Sequence, residues 1–406
     1  MNPTLLKIER AKLPLFALAV TLAAASWLAA TRGNASQDLF IFRAAAELPR
    51  RGLSPYDTEA LRAEVGRQFP ESPEFVANCG FFMTPQAVAF FTPLTLLPWP
   101  ATRVAWTALS FAALVAGLWR LPVPAGRDWW VPVLGLAVLA DPLPSMVASV
   151  GQTTALMAGL LLLGYAALTR GWAVAGALAW SVLFLKPHVA LPLLPLTFAL
   201  GGPRALAVLV VAVAGGNLLG LALMPDPVGL PLEYLRHLAE GHKVVLYNRV
   251  EYNPLITSWN SALVAAGGPV VELGIVGTLA GYAAVAALVA VRRRGGAADP
   301  EWLLAVVAAS VPVFCQVLGY ELLLLVGVLP LVAQRWPGTP WWRLAVLGGF
   351  WLLKSVPVEA ASALADAVGQ GRLGSVVLAY RAFAGLGVLG VVLTLPPSAR
   401  RGLPPQ

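Results

Sequence analysis

The chain has 406 residues, of which 58% are hydrophobic and 12% charged, with a mean hydropathy of +0.74. Soluble domains carry about 25% charged residues, so this composition excludes an ordinary soluble enzyme and points to a polytopic membrane protein. The net charge of +8 does not indicate nucleic acid, because Lys and Arg fall between apolar runs, where topology and lipid headgroups account for them.

Lys7, Arg10 and Lys12 precede an apolar run over residues 13–31. Small residues near Ala24 and Ser26 fit a signal-peptidase site, but the length of the run favours an uncleaved anchor. By the positive-inside rule the anchor begins on the cytoplasmic side and delivers Asp38 to the outer side. Residues 32–80 form a large outer loop with six Arg and seven acidic residues. Its Phe, Leu and Tyr recur at intervals that predict amphipathic helices lying on the membrane.

Residues 81–98 are apolar but carry Pro85, Pro93 and Pro98, which predicts a re-entrant or interfacial segment rather than a straight span. Further spans are predicted near 101–119, 129–148, 153–169, 172–186, 188–201, 204–224, 266–291, 302–318, 320–334, 341–356 and 374–395, with a second outer loop at 225–260. The expected fold is therefore all-α, a single transmembrane domain over 1–406 with about twelve transmembrane helices and amphipathic helices in the first outer loop. Twelve spans place Arg120, Arg127, Arg170, Arg204, Arg292 to Arg294, Arg335, Arg343, Arg400 and Arg401 inside. With the N-terminal cations, the inner side then holds fourteen of the 28 Lys and Arg but four of the 20 acidic residues, as the rule requires.

The outer side collects the polar residues. Asp38 could serve as a general base toward a hydroxyl or merely begin a helix. Lys186 and His188 flank Pro187 at the end of a short apolar run, where a cation is costly unless it has a partner such as phosphate; the alternative is a lysine reaching up to the headgroups. Arg381, inside the last span beside Tyr380, and Arg103 are two more such cations. His237 and His242, five residues apart, offer too little convergence for zinc, so neither a metal nor any other cofactor is expected. Gly369-x-Gly371-x-x-Gly374 has the letters of a dinucleotide fingerprint but follows no strand. Asn34-Ala35-Ser36 matches a glycosylation sequon, and Gly216-x-x-x-Gly220 suits helix packing. Cys79 and Cys315 read as plain thiols. No nucleotide loop or serine elbow is present, so the energy of any reaction must reside in its substrate.

Five blocks in order carry a resemblance: Asp38 with Phe40, Ala44 to Ala46, Gly52 and Pro55-Tyr56-Asp57; Thr84-Pro85 with Phe91-Thr92-Pro93-Leu94, Leu97-Pro98 and Trp106; Gly151-Gln152-Thr153-Thr154; Leu185-Lys186-Pro187-His188; and Trp259-Asn260-Ser261-Ala262-Leu263. Over roughly residues 30–335 the chain resembles glycosyltransferase family 87, which is similar to the GT-C enzymes that take a sugar from a polyprenyl-phosphate donor and to bacterial alpha-mannosyltransferases. The resemblance implies transfer of a hexose such as mannose to a lipid or glycan acceptor at the outer face of a bacterial cytoplasmic membrane, with no nucleic-acid partner. Asp38 would be the base of an inverting transfer. Lys186, His188, Arg103 and Arg381 would hold the donor phosphate, and Gln152, Tyr56, Asn260, Tyr320 and Glu321 would contact substrate. Two departures stand out. The late outer segment that often holds a histidine pair reads Val311 to Glu321 without histidine, leaving Gln316, Tyr320 or Glu321 as polar substitutes, and Thr154 replaces the usual Asn. A transporter or flippase for a lipid-linked sugar is the alternative function, and it predicts inverted repeats, which the sequence lacks; a structural scaffold predicts no concave polar site.

Overall fold

The computed structural model describes residues 3–33, 36–124, 128–244, 256–270, 274–294, 299–315, 317–335, 339–369 and 372–395. Gln316, the Asn34-Ala35 pair of the sequon, Gly371, Arg127, Arg400, Arg401 and residues 245–255 of the second outer loop lie outside the described residues, as do the side chains of Lys7, Arg10, Lys12, His242 and Arg292 to Arg294.

Apart from one two-stranded ladder, the described chain is helical. A long helix α1 (Pro3–Gly33) is followed by α2 (Gln37–Glu47), α3 (Thr58–Gln68), α4 (Pro73–Ala77) and α5 (Pro85–Thr95). Then come α6 (Trp99–Trp119), α7 (Trp130–Leu139), α8 (Pro142–Val150), α9 (Thr154–Thr169), α10 (Ala173–Ser181), the four-residue α11 (Pro187–Ala190), α12 (Leu193–Ala222) and α13 (Leu230–Val244). The strand β1 (Ile256–Thr257) precedes α14 (Trp259–Ala265), α15 (Gly274–Arg294) and α16 (Pro300–Phe314); β2 (Val317–Leu318) leads into a 3-10 segment over Gly319–Val328. The chain ends with α17 (Leu329–Arg335), α18 (Trp341–Lys354), α19 (Val358–Val368), α20 (Arg372–Leu378) and α21 (Tyr380–Thr394).

Among the described residues α6 and α12 are long and apolar enough to cross a membrane, and α7 with α8, bent by 52° at their break, makes a third if counted as one span. The other apolar helices are shorter: 16 residues in α9 and 15 in each of α16 and α21. Among the described residues two or three of the roughly twelve expected spans thus meet that length, and the shortness of the others has a local cause. Prolines and glycines interrupt the apolar runs, as a missing N–H and a permissive backbone dictate. In α12, Gly202 has φ 69 and ψ −170 just before Pro203, which divides the helix between the runs 188–201 and 204–224. The run 374–395 is divided too, at Ala379 between α20 and α21, with no proline or glycine at the break.

The first outer loop also differs from expectation. Helix α2 is enclosed by the rest of the chain: Leu39, Phe40, Ile41, Phe42, Ala44, Ala45 and Ala46 are all buried. They cover more than one face of the helix, which is the mark of an element enclosed by protein. It packs against α5 and α3, with Phe40 edge-on to Phe69 and Trp99 at centroid distances of 5.2 Å. Arg43 ties it down by donating to the carbonyl of Leu97 at 3.2 Å. Helix α5 is 11 residues long, about 16 Å at 1.5 Å per residue, half of the hydrocarbon thickness.

Two apolar cores result. The larger joins α1, α6 to α12, α15, α16, the 3-10 segment, α18 and α21. The smaller surrounds α2, α3 and α5 and includes Trp106, Leu156, Leu185, Met224 and Leu230. Polar residues gather at the seam between these cores.

Candidate active site

Local backbone chemistry brings four distant pieces of chain to that seam. Gly151 ends α8 at φ +77, and a Cβ there would come within 2.5 Å of Leu39 Cβ. Only glycine permits this conformation and this close approach of α2, so the Gly-Gln block sets Gln152 beside Asp38. Trp106, fully buried on α6, donates its indole N–H to the Gly151 carbonyl at 3.0 Å and fixes the joint.

Lys186 sits at a second break. The residue before a proline is driven out of the helical region; Lys186 has φ −118 and ψ 90 between the 3-10 turn Val182–Leu185 and α11. Thr84 satisfies the carbonyls that the break exposes, its hydroxyl donating to Phe184 at 3.0 Å and its N–H to Leu185 at 3.2 Å. The Thr84-Pro85 and Lys186-Pro187 blocks thus meet in space across about a hundred residues of sequence. A third piece is placed by β1 and β2, where Ile256 pairs with Leu318 and Thr257 with Val317. The Thr257 hydroxyl also donates to the Val317 carbonyl at 3.2 Å, and this ladder delivers Tyr320 and Glu321 to the seam.

There a polar network forms. The Gln152 amide nitrogen donates to Asp38 Oδ2 at 2.7 Å and to the Tyr320 hydroxyl at 2.8 Å. Lys186 Nζ donates to Gln152 Oε1 at 3.0 Å and to Glu321 Oε1 at 2.6 Å, and lies 5.5 Å from the centre of the Tyr320 ring. His188 Nε2 is 3.7 Å from Glu321 Oε2. Gln152, Lys186 and Glu321 are buried, whereas Asp38, Tyr320 and His188 are partly open. Burial pushes the Asp38 carboxyl above the ordinary carboxylate range, against the opposing pull of the Gln152 hydrogen bond and the Lys186 charge. A partly open carboxylate held above its usual pKa beside a buried ammonium is equipped to take a proton and to stabilise an anion.

Six of the residues expected from sequence thus come together: Asp38, Gln152, Lys186, His188, Tyr320 and Glu321. Arg381 is close by, in the first turn of α21; a Cβ on Gly319 would come within 2.7 Å of its Cδ and Nη1, and its Nη2 reaches the Val356 carbonyl at 3.4 Å. Arg103 lies on α6 one turn before Trp106, half-buried. Tyr56 uses its hydroxyl within the scaffold, donating to Met83 at 3.0 Å, and Asn260 is buried in the first turn of α14, a helix capped by Ser258. Asp57 caps α3 through the N–H groups of Glu59 and Ala60, both at 3.0 Å.

Sequence reading overlooked two supports. Tyr282 donates to the His188 carbonyl, to which the Cys315 thiol also points at 3.1 Å; both come from elements far from His188 in sequence, and no local pattern marks them. The second is Asp141 with Lys354, which form a fully buried pair. A charge inside an apolar run was the available signal for it.

The fold and the network together define a helical membrane protein with a polar site set between two apolar cores. The family model of glycosyltransferase family 87 matches residues 81–319, more than half of the chain, and the chain belongs to that family. It is a glycosyltransferase, acting on a sugar donor and an acceptor. A search of curated proteins finds no match.

Proposed function

We propose that the protein is a GT-C-type enzyme that moves a hexose, such as mannose, from a polyprenyl-phosphate donor to a lipid or glycan acceptor at the outer face of a bacterial cytoplasmic membrane. The observation that carries this reading is the convergence of Asp38 and Lys186 on one amide, Gln152: a base and a phosphate-binding cation are needed within one substrate's length of each other.

In the proposed reaction the acceptor oxygen attacks the anomeric carbon while Asp38 takes the hydroxyl proton. The bond between that carbon and the phosphate oxygen breaks, and its electron pair leaves on the lipid phosphate. The Lys186 ammonium stabilises that developing charge, with Arg381 as a further cation near it, the His188 imidazole as a hydrogen-bonding neighbour and Arg103 on the neighbouring α6. Glu321 and Tyr320, at the place of the late histidine pair, line the same site, and Tyr56 and Asn260 shape its surroundings. A polyprenyl chain suits the exposed apolar faces of the helices, for example Val210, Val211, Leu218 and Leu219 on α12, and the positive-inside reading of the N-terminal cations supports an outer site.

The test is a choice of donors. Purified protein in proteoliposomes is given radiolabelled polyprenyl-phosphate hexose or the matching nucleotide sugar, with a lipid extract as acceptor. The reading expects product from the first alone. Product from the nucleotide sugar, or vectorial movement of an unchanged lipid-linked sugar, would contradict it.

A further inference from the structure

We propose that Gln152 is a positioning residue for the transfer: it holds Asp38 by one carboxylate oxygen, Oδ2, leaves Oδ1 for the acceptor hydroxyl, and links that base directly to the phosphate-binding lysine. This rests on the reading of Asp38 as base and Lys186 as phosphate cation given above.

The orientation of the amide is fixed by chemistry. An ammonium has donors only, so Lys186 Nζ at 3.0 Å must face the carbonyl oxygen of Gln152. The NH2 group is thereby turned to the other side, where its two hydrogens meet Asp38 Oδ2 at 2.7 Å and the Tyr320 oxygen at 2.8 Å. The Thr153 N–H, at 3.3 Å, supplies a second donor to Oε1. Both hydrogens and both acceptor positions of the amide are therefore engaged. Gln152 is 6% exposed, and turning the amide over would set its NH2 against an ammonium and its oxygen against a carboxylate. A buried amide so held does not rotate, because each lost partner is a buried polar group left unsatisfied.

Two consequences follow for the reacting groups. Asp38 Oδ1 receives no hydrogen bond from a described residue, so the oxygen that remains basic is the one away from Gln152. Tyr320 accepts from Gln152 and keeps its own hydroxyl hydrogen to donate, which places a donor beside the base on the same amide. The charged and titratable groups facing Asp38 are Lys186 at the helix break, Tyr320 and Glu321 from the 3-10 segment and, behind Glu321, His188 from α11. Of these only Lys186 and Tyr320 touch the amide itself.

The full-length protein tests this with Gln152→Met, Gln152→Glu and Asp38→Asn, measuring kcat and the donor KM across pH with the lipid-linked hexose. Gln152→Met keeps the length and removes every hydrogen bond. It is expected to lower kcat about tenfold at neutral pH, to change the donor KM by less than about threefold, and to move the acid-limb midpoint of kcat up by about one unit, with partial recovery of rate at high pH. Gln152→Glu retains the acceptor for Lys186 but faces Asp38 with a carboxylate, and it should move the midpoint at least as far; it also serves if Gln152→Met does not fold. A loss of activity that is equal at every pH, with the midpoint unmoved in both variants, assigns Gln152 to the scaffold and overturns the proposal, as does wild-type kcat and midpoint. If Asp38→Asn is itself active, it is the base that has been misassigned; if Asp38→Asn is inactive while Gln152→Met behaves as wild type, only the positioning role fails.

Discussion

Two buried lysine–carboxylate pairs stand among the described residues, and their surroundings differ. Lys354, wholly buried at the end of α18, is paired with Asp141 and also donates to the Ser355 hydroxyl at 3.1 Å, while its Nζ lies 4.2 Å from the Trp351 ring centre. Asp141 is equally complete: Oδ2 accepts from Ser355 at 2.6 Å, and Oδ1 caps α8 by accepting from the Leu143 N–H at 2.8 Å. The pair closes on itself and clamps the 52° break between α7 and α8 to α18. Lys186 and Glu321 are paired as tightly, at 2.6 Å, but Lys186 extends to Gln152 and from there to the partly open Asp38, and Glu321 Oε2 has no hydrogen-bond partner among the described residues, with the half-exposed His188 3.7 Å away. A charge pair completed by its own protein is a brace, whereas one that runs on into partly open groups can still engage a substrate.

The comparison can be broken by exchanging what each lysine does. The largest expected effect is on turnover: Lys186→Met should lower transfer per folded molecule by about a hundredfold or more, since it removes the cation proposed to meet the leaving phosphate, and a steady-state assay with the lipid-linked donor reads this directly. Next in size is Lys354→Met, expected to cost about 3–5 kcal/mol of stability because it strands a buried carboxylate. Thermal unfolding in detergent would register the loss, while activity per folded molecule stays within about threefold. The reverse result, a stable but inactive Lys354→Met, would move the second pair into the reaction. Gly151→Ala sharpens the account of how the site is assembled: a side chain at φ +77 is strained by roughly 1–3 kcal/mol, and its Cβ would collide with Leu39. The melting temperature should fall and transfer should weaken as α2 is pushed away from Gln152; an unchanged rate would show that the distance from α2 to Gln152 does not matter.

How much of this was legible beforehand depended on distance along the chain. Composition alone gave the all-helical membrane class, and Asp38, Gln152, Lys186, His188, Tyr320 and Glu321 were all singled out as polar residues gathered on one side. Their order of contact was not legible, because it depends on the Gly151 backbone, the Thr84 contacts with the Lys186 break and the two-residue ladder, which join segments 60 to 135 residues apart. The burial of α2 within the protein was not legible from periodicity. Small residues let a neighbouring helix approach closely, and Ala44, Ala45 and Ala46 are all buried. Among the described residues two helices and one bent pair are long and apolar enough to cross, and prolines and glycines in other apolar runs are where the backbone turns aside.

The claim on which the others depend is that Asp38 takes the proton. Asp38→Asn preserves size and can still pair with Gln152 but cannot accept a proton at neutral pH. With the melting temperature within a few degrees of wild type, single-turnover transfer from the polyprenyl-phosphate hexose should fall by at least about a hundredfold. Transfer within about fivefold of wild type by a folded Asp38→Asn protein would contradict the account.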